Sequence, residues 1–307
     1  MIASFFSKSK PIHYVIVSVV IFVVFLLTKI ATFSAGFEVG SIFKLTFLLL
    51  ICLLTVFTFN FVVSKNSLTK KNSYKIMVFT LFFAIIPEVM LHSKILIANL
   101  FILLALRRLI SIRSGKEIKK KLFDAAFWVS IATLFFFWSC LFYLLIFGAL
   151  FVYGIADIKN WFIPLIGAVT VFIIALAVML TINADVLAYA ENLVDMSFDF
   201  SGLNSARLII GSTLLLSYGI WALFYYIKNL QSKARNIRPS YILIIVAAII
   251  GIAIVAVSPV KNGSEFLFVF APLAIILTNY VEVIKEKWFK EVLLWSLVVT
   301  PLVLVFI

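Results

Sequence analysis

Glu88 is the residue of this chain best placed to carry out chemistry. It follows Pro87 inside an apolar segment, where a carboxylate costs about 2.5–3.5 kcal/mol or more unless it faces protein or water. On a helix, Glu88 and His92 would stand at positions i and i+4, share a face and pair. Two interpretations follow: an acid–base or ligand-binding site, or an interfacial pair that ends a short helix.

A second candidate is the segment SPVKNGSEF at 258–266. Pro259 and Gly263 predict a tight loop, and a helix here would place Lys261 and Glu265 on one face. The ammonium group of Lys261 can bind a lipid phosphate, or it can be a charge on the rim of the protein.

Three acids with a spacing of four form a third candidate: Glu191, Asp195 and Asp199. A helix would align them on one face, and the apolar residues between them predict an amphipathic helix at a membrane surface. The acids then form a solvated face or, alternatively, bind a divalent cation, which prefers oxygen ligands.

Other chemistries are excluded by what the sequence lacks. The two histidines, His13 and His92, belong to opposite sides of the predicted topology, so they cannot share a metal ion. Cys52 and Cys140 lie in separate apolar runs and form no C-x-x-C motif. No phosphate-binding glycine loop and no GxGxxG motif occurs. We therefore predict no metal site and no cofactor.

The amino-acid composition indicates that these residues belong to a protein embedded in lipid. The chain has 307 residues, of which 64% are hydrophobic and 13% charged, whereas soluble domains are roughly 45–50% apolar and about 25% charged. The net charge of +13 is confined to short segments between apolar runs. This is a membrane-topology pattern, and it excludes nucleic acid as a partner. We predict an all-α polytopic transmembrane bundle forming one domain over residues 1–307.

The basic segment RRLISIRSGKEIKKKLFD at 107–124 sets the orientation. It contains seven of the 26 lysines and arginines, and such a cluster stays on the cytoplasmic side. Asp124 is interpreted as a cap of the following helix. The side chains predicted to contact anionic lipid, at about 1 kcal/mol per basic residue, are Arg107, Arg108, Lys119, Lys120 and Lys121.

Two apolar runs, 76–106 and 122–156, are too long for one span. As single helices they would place polar groups at mid-membrane and the basic segment outside. We predict that each run is a hairpin of two short helices, turning at His92–Lys94 and near Trp138–Cys140. Each hairpin either spans fully, with tilted helices, or is re-entrant. The other predicted spans are Ile12–Ala31, Ile42–Val63, Trp161–Ile182, Arg207–Ile227, Ser240–Ser258, Glu265–Val283 and Val292–Ile307.

This arrangement gives about eleven helices, with the N-terminus inside and the C-terminus outside a bacterial inner membrane. It places all but five of the basic residues on the cytoplasmic side. The five exceptions are Lys29, Lys44, Lys94, Arg207 and Lys261.

Residues 98–150, ANLFILLALRRLISIRSGKEIKKKLFDAAFWVSIATLFFFWSCLFYLLIFGAL, resemble the middle of membrane glycosyltransferases of the GT-C fold. Both have a short apolar hairpin, a basic cytoplasmic turn and a second hairpin. The segment at 263–282 is similar to a late helix of those enzymes, with Glu265 and Phe266 where they have Arg and Tyr. The whole chain also resembles a family of uncharacterised bacterial polytopic membrane proteins.

The resemblance to the glycosyltransferases implies transfer of a sugar from a polyprenyl-phosphate-linked donor at the outer face. By position, Glu38 in GFEVGS would be the base or a metal ligand. Glu88 and Glu265 would support it, and Lys94 or Lys261 would bind the phosphate.

Two non-enzymatic functions stand beside this one. The chain is alternatively a membrane scaffold or assembly subunit of envelope machinery, with other membrane proteins as partners. A carrier for a lipid or small solute is the third hypothesis. Pro272 and Pro301 favour broken helices, but the sequence shows no repeat of the kind that carriers contain.

Overall fold

The computed structural model describes residues 1–32, 39–155, 157–183, 195–259 and 261–306. Within these ranges the protein has twelve α-helices and no β-strand. In chain order the helices are α1 (Ile2–Phe6), α2 (Pro11–Thr32), α3 (Val39–Lys65), α4 (Tyr74–Ile85), α5 (Ser93–Ser111), α6 (Ile118–Phe135), α7 (Tyr143–Val152), α8 (Lys159–Thr181), α9 (Ala206–Leu230), α10 (Arg238–Val257), α11 (Leu267–Val283) and α12 (Lys287–Leu304). The predicted all-α bundle is confirmed, and α2–α12 correspond to the predicted helices.

Seven segments of the described chain are long and apolar enough to cross a membrane. They are Pro11–Lys29, Ile42–Lys65, Ser93–Ser114, Lys159–Thr181, Ala206–Leu230, Arg238–Val257 and Ser264–Val283. Two shorter apolar helical segments, Tyr74–Ile85 and Phe137–Val152, complete the hairpins. The chain is therefore a polytopic membrane protein in which not every helix is a membrane-length span.

The centre of the bundle is formed by α4 and α11. All twelve residues of α4 are buried, as is every residue of α11 from Leu267 to Val281. Phe82 and Phe83 of α4 pack edge-to-face on Phe270 of α11, with ring centroids 5.6 and 5.7 Å apart. Each such aromatic pair adds about 0.5–1.5 kcal/mol beyond its buried area.

The first predicted hairpin is confirmed, and its turn begins earlier than expected. Pro87 disfavours the helical conformation for the residue before it, and Ile86 accordingly has φ −123° and ψ 76°. A 3₁₀ turn, Pro87–Met90, then leads into α5. Because α4 has 12 residues and α5 has 19, the prediction that both helices of this hairpin are short is correct for α4 and wrong for α5.

The second hairpin is also confirmed. Helix α6 ends where Phe136 becomes extended, with φ −147° and ψ 108°, and the 3₁₀ turn Phe137–Phe142 follows. No proline or glycine forces this break. Phe136 instead stacks on Phe268 of α11 at 5.5 Å, so packing against the central helix stabilises the turn.

The connecting segments lie at two ends of the bundle. We call one the basic end: it contains the N-terminus and the segments at 66–73, 112–117, 153–158, 231–237 and 284–286. We call the other the distal end: it contains the segments at 86–92, 136–142, 195–205 and 258–266. Ala156 and Val260 lie outside the described residues, and the segments are named without reference to them. The backbone N–H of Lys70 donates to Glu282 at the basic end, at 2.9 Å. The indole N–H of Trp138 donates to the Asp195 carbonyl at the distal end, at 2.8 Å.

Both hairpins reach from one end to the other. Ser73, just before α4, bonds His13 at 2.8 Å near the basic end, and Glu88, just after α4, faces Arg207 at the distal end. In the second hairpin, Lys121 lies at the basic end and Trp138 at the distal end. This geometry favours full crossings over re-entrant loops.

The predicted amphipathic acidic helix is wrong where it can be checked. Residues Asp195–Phe200 have no helical structure, and Glu191 lies outside the described residues. Asp199 instead accepts hydrogen bonds from the backbone N–H and the hydroxyl of Ser201, both at 2.9 Å. Short polar side chains commonly form such local bonds in turns.

Candidate polar site at the distal end

Four of the residues singled out from the sequence come together at the distal end. Glu88, His92, Lys261 and Glu265 lie on the 86–92 and 258–266 segments. Gly263 is the point of contact between these segments: its φ is +89°, and a methyl group placed on it would lie 3.5 Å from Cβ of Glu88. A glycine is needed here because other residues rarely adopt this conformation.

Glu88 pairs with Arg207 rather than with His92. Its Oε1 lies 3.8 Å from Nε of Arg207. The predicted pairing with His92 is wrong because Glu88 stands in a 3₁₀ turn and His92 precedes the first residue of α5, so the two never share an α-helical face. Burial raises the pKa of Glu88, while a backbone N–H and Arg207 lower it.

His92 is a neutral hydrogen-bond acceptor. Nδ2 of Asn262 lies 2.9 Å from Nε2 of His92, and because the amide nitrogen can only donate, Nε2 must accept. Burial lowers the pKa of His92, and the positive charge of Lys29 lowers it further. The hydrogen bond between His92 and Asn262 therefore connects the 258–266 segment to the start of α5.

Lys261 binds the end of helix α10. Its ammonium group donates to the carbonyls of Val255, Ala256 and Ser258 at 3.2, 2.8 and 2.9 Å. Helices end with unpaired carbonyls and a partial negative charge, which a lysine satisfies. Because an ammonium group has three N–H donors, this arrangement leaves none for a lipid phosphate.

Glu265 is the most deeply buried acid of the site. It is 0% exposed and lies in the 3₁₀ turn Ser264–Phe266 that leads into α11. Neither carboxylate oxygen has a hydrogen-bond partner among the described residues. A side chain so enclosed cannot reach a substrate in this conformation.

A polar strap, residues 195–205, covers Lys261. The Phe200 ring lies 4.5 Å from the ammonium nitrogen, a cation–π contact. Gly202 packs so closely on the Lys261 carbonyl that any Cβ there would clash with it. Sequence reasoning missed Phe200, Gly202 and Asn262, and the adjacent Asn262–Gly263 pair was the one signal that a tight turn gathers this site.

The remaining predicted site residues stand apart from this cluster. Lys94 is exposed in the first turn of α5. Glu38 lies outside the described residues, so its predicted catalytic role has no structural setting here. Among the described residues, no group of three or more His, Cys, Asp or Glu side chains could hold a metal ion.

Some charged side chains of the basic segment at 107–124 form contacts within the protein. Arg108 pairs with Asp124 at 2.9 Å, and Lys121 donates to the Ser111 carbonyl and the Ser114 hydroxyl at 2.8 and 2.7 Å. Asp124 stands in the second turn of α6, so its interpretation as a helix cap is wrong.

The other predicted lipid contacts in this segment differ in exposure. Arg107 lies over the Phe61 ring at 4.8 Å. Lys119 and Lys120 are exposed, and they are therefore the members of this set that are open to anionic lipid.

Comparison with known proteins identifies a family but no activity. No curated protein and no solved structure matches the chain, and no match links it to glycosyltransferases of the GT-C fold. The profile of a family of unknown function (DUF6427) matches residues 7–307. The chain therefore belongs to this family of unknown function.

Proposed function

We propose that this protein is a non-catalytic membrane subunit, a scaffold or assembly factor of bacterial envelope machinery. The observation that carries the proposal is the enclosure of the distal site. Lys261 is 5% exposed and Glu265 is 0% exposed. The ammonium group of Lys261 donates hydrogen bonds to the carbonyls at the end of α10. The two groups are therefore enclosed by the chain, and Lys261 holds the 258–266 segment on the end of α10.

The burial of Lys261 and Glu265 does not by itself indicate that the protein has a partner. The membrane-facing surface of α8 provides the second argument for a scaffold. Helix α8 is buried over only 17% of its membrane-spanning window. Beside it lies an almost wholly apolar cavity of about 490 Å³ between α6 and α8, lined by Phe127, Ile131, Leu134, Ile174 and Val178 among others. Helices associate in membranes through close packing, and this cavity offers a recess for the side chains of a partner helix.

The proposal includes an orientation. The basic end faces the cytoplasm and the distal end the outer side, because all but five of the 26 basic residues lie towards the basic end. Exposed lysines such as Lys119 and Lys120 contact anionic lipid there. No cofactor is part of the proposal.

A cysteine-accessibility experiment tests the orientation. In a background in which Cys52 and Cys140 are replaced by serine, Lys119→Cys should resist an impermeant thiol reagent in whole cells and react after the cells are opened. Lys94→Cys, at the distal end, should react in whole cells. Labelling of Lys119→Cys in whole cells would overturn the orientation.

Sugar transfer from a lipid-linked donor is the competing function, and it depends on Glu38. A strain that lacks the gene is complemented with Glu38→Gln, Lys94→Gln and the wild type, and protein abundance is measured alongside the deletion phenotype. A scaffold predicts full complementation by both variants at wild-type abundance. Loss of function with Glu38→Gln at unchanged abundance would overturn the scaffold and favour the enzyme.

A mass measurement tests the scaffold directly. The protein is extracted in nanodiscs of native lipid and weighed. A scaffold predicts particles heavier than one 34.6 kDa chain with its lipid belt, and it predicts that Ala175→Trp, which fills the apolar cavity, reduces their mass. Particles that contain one chain and no other protein would contradict the proposal.

A further inference from the structure

A groove at the basic end combines aromatic walls with a charged rim. It lies between the C-terminal halves of α9 and α11 and the start of α12, and it has a volume of about 320 Å³. Its lining includes Trp221, Tyr225, Tyr280, Val283, Lys285 and Phe289. We call it the α9–α11 groove.

The depth of the groove matches the boundary between headgroups and hydrocarbon. Val283 is the last residue of a membrane-length segment, and Tyr280 stands one helical turn before it. Lys285 follows the end of that segment and is exposed. Tryptophan and tyrosine are enriched at this level of membrane proteins because their rings are apolar and their polar atoms meet water and headgroups.

The groove presents hydrogen-bond donors at its polar end. The indole N–H of Trp221 donates to the Tyr280 hydroxyl at 2.7 Å. Because indole is only a donor, the Tyr280 oxygen is the acceptor and its own proton is left to bond another group. No acceptor for that proton occurs among the described residues. Lys285 adds an ammonium group to the same rim.

The surrounding charge favours an anion. Lys233 lines a small adjoining cavity that shares Tyr225, Tyr280 and Val283 with the groove. Glu286 also lines the groove and opposes an anion. The nearby Glu282 carboxylate is already bound by the Lys70 N–H at 2.9 Å and by the Asn72 amide at 2.6 Å, so its charge is stabilised within the chain.

We infer that the α9–α11 groove binds one anionic phospholipid. Lys285 holds the phosphate at the rim of the groove, and the acyl chains lie along Trp221, Val283 and Phe289. Trp221 is 52% exposed and Val283 is 47% exposed, so the apolar wall is open to the bilayer. A free phosphate ion would leave this wall without a partner. The site differs from the exposed lysines of the 107–124 segment and does not depend on a scaffold function.

Native mass spectrometry of the full-length protein in detergent tests the site. The protein is mixed with equal amounts of phosphatidylglycerol and phosphatidylcholine, and the retained lipid is counted. The wild type should keep one phosphatidylglycerol in preference to phosphatidylcholine. Excess inorganic phosphate should not displace it, because the acyl chains contribute to binding; displacement would show a phosphate site and overturn the assignment to lipid.

Two variants and two controls locate the binding. Lys285→Gln should reduce phosphatidylglycerol retention about fivefold, the effect of one basic residue at a membrane surface. Val283→Trp should reduce it by filling the groove without a change of charge. The matched controls, Lys287→Gln on the same segment and Lys119→Gln on the basic segment, should retain lipid as the wild type does. Wild-type retention in both Lys285→Gln and Val283→Trp, or equal loss in the controls, would overturn the inference.

Discussion

At the distal end, Lys261 and Glu265 are 5% and 0% exposed, and the Lys261 ammonium group donates to the protein's own backbone. The basic end carries most of the positive charge, and its lysines Lys119, Lys120 and Lys285 are exposed. A buried charge is costly unless it is paired or hydrogen-bonded. Lys261 and Glu265 are therefore part of the packing, whereas the exposed lysines of the basic end are available to other molecules.

Removing the buried ammonium group should have the largest effect. Lys261→Met leaves three carbonyls at the end of α10 without their donor and Glu265 without its nearby cation. We expect the free energy of unfolding to fall by about 3–5 kcal/mol, because each buried acceptor left without a donor costs about 1–3 kcal/mol. Denaturant unfolding in micelles measures it.

Lys119→Met is the matched control at the basic end, since the same change of side chain there removes an exposed charge. Its free energy of unfolding should stay within about 0.5 kcal/mol of the wild type. Equal losses in the two variants would show that the distal charge is no more structural than the basic one.

Two glycines with positive φ sharpen the comparison. Gly263 at the distal end has φ +89°, and a methyl group there would lie 2.7 Å from Leu208. Gly115 at the basic end has φ +68° and open space around it. We expect Gly115→Ala to lower the free energy of unfolding by about 1 kcal/mol from backbone strain, and Gly263→Ala by about 2–3 kcal/mol because steric overlap is added. Thermal unfolding of both variants would measure these losses. Equal decreases in melting temperature would argue against tight packing at the distal end.

The ion pair of the basic end should matter less. Arg108 and Asp124 are 2.9 Å apart but partly exposed, and such pairs contribute about 0.2–1 kcal/mol. Asp124→Asn should therefore lower the free energy of unfolding by no more than about 1 kcal/mol, and less in high salt. A loss comparable to that of Lys261→Met would break the contrast between the ends.

The smallest expected effect is a pH dependence at the distal end. The pKa of His92 is lowered in the folded protein, so below the unfolded value of about 6.5 the unfolded chain binds a proton that the folded chain refuses. The contribution of His92 to stability is therefore complete above that pH and is lost as the pH falls through the folded pKa.

His92→Gln should remove this slope while its amide oxygen still accepts from Asn262. Melting temperatures from about pH 7.5 to about pH 5.5 would be compared for the two proteins. A constant difference between them across the range would contradict the assigned role of His92.

Hydropathy and charge were sufficient to predict the helices and both hairpins. A membrane-length apolar run has few alternatives to a helix, and the charge at 107–124 required the extra turns. The start of the first turn could have been predicted more accurately, because Pro87 restricts the conformation of Ile86. The start of the second turn could not be predicted, since the break at Phe136 depends on its contact with Phe268, which is far away in the sequence.

The contacts of the site were beyond the sequence. Arg207 was recognised as an exception to the charge pattern, but its position opposite Glu88 depends on how α9 packs beside α4. The spacing of Glu191, Asp195 and Asp199, with apolar residues between them, suggested a helix that is absent from Asp195 onwards. Asp199 instead accepts local hydrogen bonds from Ser201, and the periodicity does not reveal such a competing turn. The partners of Lys261 depend on the turn geometry that Gly263 permits.

The position of α4 has a consequence for how the protein is made. Helix α4 has twelve residues, about 18 Å at 1.5 Å per residue, and is short for independent insertion into a bilayer. Its central neighbour α11 leaves the ribosome almost two hundred residues later. Until then Phe82 and Phe83 lack their contact with Phe270. The core is thus completed only after α11 has been synthesised, and any chain truncated before Leu267 should be removed by quality control.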